Sequence, residues 1–251
     1  MQLLESEKTH NMRGQVKSSS GKVGISLERS FDLFFGVILL LASAPLILCF
    51  VVFSKIVSPG PVIFKQMRIG RDGRPFLMYK FRTMHLNADV KQHEEHASRL
   101  IRSNQPMVKM ETLVDNRLIP MGRFLRASGL DELPQVINVF RGEMSVIGPR
   151  PCLPCEFEAY SENQTLRFRV LPGITGLWQV SGKNRLTFSQ MIGLDERYVR
   201  SRSLWMNLTI LVMTPLTLLK QIRDTLDPRV NKCTDLQSPS PISGVEKKMA
   251  G

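Results

Sequence analysis

Cysteine is scarce, with four in 251 residues. Cys49, Cys152, Cys155 and Cys233 are too scattered to make a disulfide framework, which fits a reducing, cytosolic environment. Cys152-Leu153-Pro154-Cys155 is a lone CxxC without a second CxxC or a nearby histidine pair, so incidental thiols are the better reading than zinc or redox chemistry. Cys49 lies in an apolar run and reads as a small hydrophobe. Aromatic residues make up only 7% of the chain, and no long run of them is interleaved with basic residues, which argues against a nucleic-acid binder. Acidic residues are also few: 22 against 34 Lys and Arg, a formal charge of +12. That balance suits phosphorylated substrates, anionic lipid headgroups or nucleic acid without choosing among them. The chain has no internal repeat, no Walker A, no GxGxxG, no HExxH and no GxSxG. His93-Glu94-Glu95-His96 is not the HExxH arrangement. Its two histidines, i and i+3 on the charged segment from Met84 to about Ser103, read as solvated rather than as zinc ligands.

What the chain does have is one long apolar run. Leu33 to Phe53 carries no charge and is about the length of a membrane span. It sits behind a polar lead of Lys, Ser, Gly and Gln, which is not a secretory signal. Pro45 near its middle removes a backbone hydrogen bond and predicts a kink, with Ser43 nearby to cap freed carbonyls. Basic residues flank both ends: Lys17, Lys22 and Arg29 before, Lys55, Lys65, Arg68, Arg71 and Arg74 after. A spanning helix usually places them mainly on one side. A plain signal anchor is the default reading, and a helix that enters, bends at Pro45 and returns is the rival.

Beyond Ser58-Pro59-Gly60-Pro61, Val62 to Lys65 and Pro75 to Arg82 read as strands joined by Gly70-Arg71-Asp72-Gly73-Arg74. Arg68, Lys80 and Arg82 on one hairpin would make a phosphate clamp, although basic strand residues are more often solvated. Arg117 to Ala127 reads as a short helix. It leads into Ser128-Gly129-Leu130-Asp131-Glu132-Leu133-Pro134-Gln135-Val136-Ile137-Asn138. Asp131 is placed as a helix N-cap with Pro134 in the first turn, and Leu133, Val136, Ile137 and Phe140 are expected to face the core. Asp131 and Glu132 at a helix start can diverge around one ligand, and the helix terminus favours phosphate. The plainer reading is that Asp131 only caps and Glu132 only complements the dipole; the helix alone favours it. Ser145 to Ile147 reads as a buried strand ending in Gly148-Pro149-Arg150-Pro151, a rigid turn that offers a guanidinium. Helices are expected over Glu156 to Val170 and Phe188 to Arg200. Trp205 to Ile222, interrupted by Asn207, Thr209, Thr214, Pro215 and Thr217, reads as interfacial rather than as a second span. Trp178 reads as a core anchor. Residues 1–26 and 223–251 read as disordered tails.

Five segments together resemble one family. They are Arg29-Ser30-Phe31-Asp32, Tyr79 to Met84, Leu130 to Gln135, Gly142 to Pro151 and Pro172 to Gly182. In that order they look like the bacterial sugar transferases, monotopic phosphoglycosyl transferases acting on polyprenyl phosphate. The resemblance implies a membrane-associated α/β (α+β) single domain, mostly helical with a small β-hairpin. It also implies a re-entrant membrane helix over 27–57, broken at Pro45, before a catalytic domain over 58–222. The implied reaction transfers a sugar 1-phosphate from a UDP-sugar to undecaprenyl phosphate and releases UMP. It begins exopolysaccharide, capsule or O-antigen repeat units at the cytoplasmic face of the inner membrane. By resemblance Asp131 is the nucleophile and Mg2+ ligand, Glu132 the second member of the dyad, and Lys80 and Arg150 the phosphate contacts, with Arg82 and Arg68 as weaker ones. Arg29, Asp32 and Pro45 match the membrane-insertion motif as structural residues. The implied partners are the donor, the lipid acceptor and membrane lipid, with room for a homodimer and no nucleic acid. Glu28 and Asn207 depart from the family's usual Lys and Asp, and Ala44 from its common Ser. A rival from another class, a non-catalytic membrane scaffold of a polysaccharide assembly complex, would be favoured by loss of the dyad or of Arg150; all three residues are present.

Overall fold

The computed structural model describes residues 24–85, 99–101, 103, 104, 106, 117–158 and 160–226. The expected tails lie almost wholly outside these residues, as do most of the charged helix expected from Met84 to Ser103, its histidines included, and Cys233.

The apolar run forms most of helix α1, Gly24–Val57, which continues through Pro45. It is long and apolar enough to cross a membrane, and only 17% of its apolar window is buried in the protein, so it is not a core helix. Ser43 Oγ donates to the carbonyls of Leu39 (2.6 Å) and Leu40 (3.3 Å). The carbonyl that Pro45 deprives of its usual donor is that of Leu41, four residues back. The serine therefore does not cap it, contrary to the expectation from sequence.

Both arms of α1 pack on the rest of the chain. Near its start, Arg29 donates to the carbonyls of Val139 (2.5 Å) and Phe140 (2.8 Å). Asp32, 3% exposed, accepts from Ser145 Oγ (2.7 Å) and Val146 N–H (2.9 Å). Near its end, Ile47, Phe50 and Val51 join a cluster with Phe81, Leu125, Leu130 and Leu133, and the Phe50 and Phe81 rings lie 4.6 Å apart. Between the arms, Val37, Ile38, Leu40, Leu41 and Leu46 are exposed.

Strands β1 (Ile63–Ile69) and β2 (Pro75–Phe81) pair antiparallel from Ile63↔Phe81 to Ile69↔Pro75, around a turn in which Asp72 and Gly73 have positive φ. Side chains alternate along a strand. Phe76 and Met78 are buried, so Lys80 falls on their inward face.

Helix α2 (Gly122–Ser128) ends at Gly129, whose φ of 71° reverses the chain. A 3-10 turn, Leu130–Gln135, follows, then α3, Val136–Arg141. Gly129, not Asp131, starts the turn, and Asp131 lies inside it, so the N-cap expectation is corrected. The tighter 3-10 winding also shifts the inward face. Val136 and Val139 are buried, whereas Ile137, expected inside, is 41% exposed.

Strand β3 (Ser145–Ile147) pairs in parallel with β4 (Gly173–Thr175). This second two-stranded sheet brings two distant motifs together. Gly148 N donates to Thr175 O and Gly173 N to Pro149 O, each at 2.9 Å. A Cβ on Gly173 would lie 2.0 Å from Gly148 N, so only glycine permits this approach. The helix expected over Glu156 to Val170 is broken into α4 (Pro154–Glu158) and a 3-10 helix, Glu162–Arg169. Helix α5 (Leu177–Val180) buries Trp178. Helix α6 (Phe188–Ser201) starts at a Thr187/Gln190 capping box and buries Met191, Ile192, Asp195 and Tyr198, one face at helical spacing. Helix α7, Leu204–Leu226, closes the described chain. The main core joins Phe76, Met78, Val139, Met144, Val146, Ile147, Val170, Tyr198 and Ile210. Asn207 anchors α7 to it, 3.0 Å from the Tyr198 hydroxyl, and Glu28 pairs with Arg202 at 3.0 Å.

Asp32→Ala strands the buried Val146 N–H and is expected to cost about 1–3 kcal/mol. Thermal unfolding in detergent should show a lower midpoint, with Asp32→Asn in between. An unchanged midpoint for the alanine variant would show that this carboxylate does not dock the helix.

Candidate active site

The 3-10 turn carries Asp131 and Glu132 to the inward face of β2, where Lys80 waits. Lys80 Nζ and Glu132 Oε1 stand 2.8 Å apart with side chains 15% and 24% exposed. The pair is thus largely shielded, unlike an ordinary surface ion pair. Burial pushes the Lys80 ammonium below the usual lysine range. Glu132 and then Asp131 oppose this, while Arg150 and then Arg68 reinforce it. Three cations and two carboxylates therefore share one electrostatic neighbourhood.

Arg68 is 2% exposed. Its Nη1 donates to Pro151 O (3.2 Å) and its Nη2 to Gln66 Oε1 (2.8 Å), so it supports the Gly-Pro-Arg-Pro turn from behind. Burial first and Arg150 second push its guanidinium down to about 10, still cationic at neutral pH. Arg150, half-buried at the turn, is held by its backbone: Arg167 Nη2 donates to Arg150 O at 2.6 Å. Arg167 also meets the Tyr160 hydroxyl and lies 3.0 Å from Asp195 Oδ2, both side chains at most 2% exposed. Neither Asp195 oxygen has an aligned hydrogen-bond donor, so the contact is an ion pair without a directed bond. Burial pushes the Asp195 carboxyl up to about 6, against the pull of Arg167.

Arg82 goes elsewhere. Its Nη2 donates to the carbonyls of Ser58 (2.6 Å) and Pro59 (3.2 Å). It fixes the exit of α1, contrary to the reading of it as a phosphate contact. Arg29 and Asp32 are likewise turned to backbone and Ser145. The Cys152 thiol, buried, is pushed up to about 12, so it is not a thiolate at neutral pH.

The sequence reading gave no role to Asn138, which is fully buried. Its Nδ2 donates to Leu77 O and to Glu143 Oε2, both at 2.7 Å. Its Oδ1 accepts from Tyr79 N at 3.1 Å. It thereby latches α3 to β2 one residue before Lys80. The signal was a polar residue one place from the apolar Ile137 and Val139 in a short helix. An open pocket of about 80 Å³ adjoins Glu132, bounded by Gly129, Ile174, Thr175, Gln179 and the inner side of α7.

No group of three or more His, Cys, Asp or Glu among the described residues could cage a metal. Asp131 and Glu132 nevertheless supply adjacent oxygen donors. That set fits Mg2+, which takes one or two carboxylates and completes its shell with water and substrate phosphate.

Shielded cations around paired carboxylates, in a chain with an exposed apolar helix, are chemistry suited to a phosphorylated ligand. Residues 23–221 match the sequence profile described as bacterial sugar transferase, and the chain belongs to that family. It is 35% identical over 201 residues to the undecaprenyl-phosphate galactose phosphotransferase of Salmonella typhimurium, covering 78% of this chain and 41% of that one. It is 37% identical over 191 residues to the exopolysaccharide production protein ExoY of Sinorhizobium fredii, covering 76% and 84%. It is 36% identical over 196 residues to the UDP-glucose:undecaprenyl-phosphate glucose-1-phosphate transferase of Escherichia coli, covering 75% and 39%. The chain thus spans about two fifths of the Salmonella and Escherichia relatives and most of ExoY.

Because Glu132 raises and burial lowers the Lys80 pKa, Glu132→Gln should lower it further. Titration of carbon-labelled lysine by NMR should place wild-type Lys80 below an ordinary lysine, and the variant lower still. A Lys80 that titrates normally, or one indifferent to Glu132→Gln, would contradict this arrangement.

Proposed function

We propose that this protein transfers a sugar 1-phosphate from a UDP-sugar to undecaprenyl phosphate, giving undecaprenyl-diphosphate-sugar and UMP. This would be the first step in building exopolysaccharide, capsule or O-antigen repeat units. The observation that carries it is the Lys80–Glu132 pair beside Asp131, with Arg150 and Arg68 near enough to act on Lys80. Support also comes from the family and from relatives named for lipid-carrier sugar phosphotransfer.

In the first half-reaction an Asp131 carboxylate oxygen attacks the donor's β-phosphorus. The P–O bond to UMP breaks, UMP leaves with that electron pair, and an aspartyl-phosphosugar remains. Lys80 and Arg150 bind the diphosphate oxygens and stabilise charge that builds on them, in a shielded place where such contacts are strong. In the second half-reaction a phosphate oxygen of the lipid attacks the same phosphorus and frees Asp131. Glu132 assists the acceptor phosphate through Lys80, which it holds in place to donate to that phosphate. Mg2+ held by Asp131 and the diphosphate would neutralise charge and polarise the phosphoryl group.

Helix α1 is best read as re-entrant. A straight run from residue 32 to 50 would cover about 27 Å, nearly the hydrocarbon thickness of a bilayer. A spanning helix would hold one of those ends in or beyond the far leaflet, yet Asp32 and Phe50 both pack on the same domain. The exposed apolar face of α7, with Trp205, Val212, Leu216 and Leu219, lies along the bilayer surface as an interfacial helix. The catalytic domain, 58–222, sits on the cytoplasmic face of the inner membrane.

Labelled UMP should exchange into UDP-sugar with no acceptor present, and Asp131→Asn should lower that exchange more than about a thousandfold. Exchange absent from an enzyme that turns over, or intact in the variant, would remove the covalent route. For topology, single cysteines placed at Lys22 and Lys65 should both resist a membrane-impermeant thiol reagent applied from the periplasm. Labelling of either would show that α1 crosses.

A further inference from the structure

The pocket beside Glu132 has a different chemistry from the cationic cluster. Among its described lining residues, Thr175, Gln179, Thr214, Thr217 and Gln221 offer hydroxyls and amides, above apolar Ile174, Val180 and Leu218. None of these is aromatic, so a nucleobase would find no ring to stack on. Arg68, Lys80 and Arg150 do not line it. Its two basic residues are engaged: Lys183 Nζ donates to Gln221 Oε1 at 2.9 Å, and Arg126 Nε to Thr83 Oγ1 at 2.7 Å.

Helix α7 explains how this wall arises. Thr214, Thr217 and Gln221 follow at i, i+3 and i+7, one face of a helix, while Trp205, Val212, Leu216 and Leu219 face outward and are exposed. The polar residues that interrupt the apolar sequence of α7 are its inner wall. Several of their groups already have one partner and keep capacity for another. Lys183 occupies the Gln221 carbonyl oxygen and leaves the amide hydrogens to donate. Thr217 Oγ1 donates to Met213 O at 3.0 Å, so its lone pairs can accept. Gln179 Nε2 donates to Ile174 O at 3.1 Å, while its buried Oε1 has no partner. That oxygen needs a donor, which a hydroxyl supplies and an ionised phosphate does not.

We propose that this pocket binds the pyranose ring of the sugar nucleotide, with Gln179, Thr217 and Gln221 reading its hydroxyls. The inference rests on the transfer reaction proposed above. The sugar would then hang from the β-phosphorus on the Glu132 side, away from the cations that hold the diphosphate, and α7 would set sugar selectivity from its inner face while its outer face meets lipid.

The test uses full-length protein and a panel of UDP-hexoses differing at single hydroxyls, with transfer of labelled sugar phosphate to undecaprenyl phosphate as the readout and the dissociation constant of UMP from calorimetry beside it. Thr217→Val and Gln221→Leu should each raise the KM of the preferred donor about tenfold per lost hydrogen bond. They should also flatten selectivity among epimers and leave the dissociation constant of UMP within about twofold, which doubles as the control for folding. Unchanged KM and selectivity in both variants would overturn the proposal. So would a UMP constant that rises in step with KM, which would assign the pocket to the nucleotide. If the wild type transfers sugar phosphate from no UDP-sugar, the transfer reading fails instead, and this inference falls with it.

Discussion

One buried carboxamide sets the spacing of the candidate site. Asn138 donates to Leu77 O and accepts from Tyr79 N–H, meeting the two ends of a dipeptide step of β2 as a neighbouring strand would. Its second amide hydrogen goes to Glu143. Every polar group of the side chain is thus used in a fully buried place, where an unmet one would be costly. The strand is thereby fixed against the segment that carries Asp131 and Glu132. Lys80 follows Tyr79 directly, so the latch also fixes which way the lysine points. An aspartate in its place would set an acceptor against the Leu77 carbonyl.

The electrostatics follow from that placement. Arg68, Lys80 and Arg150 share one electrostatic neighbourhood with Asp131, Glu132 and Glu156, and burial first, with the neighbouring guanidiniums after it, depresses the Lys80 and Arg68 pKa values. Behind the site, Arg167 and Asp195 pair with each other, and Arg167 grips the Arg150 backbone, so the turn that carries Arg150 rests on a firm base. The membrane helix is part of the same frame. Arg29 satisfies carbonyls at the end of α3, where a cation also complements the helix dipole, and Asp32 ties the helix to β3.

Much of this was legible in the chain. Alternating apolar residues and a Gly-rich turn marked the hairpin, and the uncharged run marked α1. The Asp-Glu pair and the Gly-Pro-Arg-Pro turn stood out as chemistry. What could not be read depended on partners far away in sequence. Pro134 and Gly129 together wind the segment as a 3-10 turn rather than an α-helix, which moved Asp131 off the cap and Ile137 to the surface. The parallel pairing of β3 and β4 shows in sequence only as two distant glycines, because its requirement is the absence of side chains where Gly148 and Gly173 touch. Lys80 and Arg82 have the same parity, but β2 ends at Phe81, and beyond it Arg82 turns to the Ser58 and Pro59 carbonyls. The threonines of α7 read as blemishes in an apolar helix until its inner side was seen to face a polar pocket.

The central claim is that Asp131, poised among these charges, becomes covalently bonded to phosphorus. Intact-protein mass spectrometry after rapid acid quench, with UDP-sugar present and lipid acceptor absent, tests it most directly. The account predicts a gain of one sugar phosphate that maps to the peptide holding Asp131 and disappears when undecaprenyl phosphate is added. Protein whose mass never changes with donor alone, and which cleaves the donor only when the lipid is also bound, would contradict it.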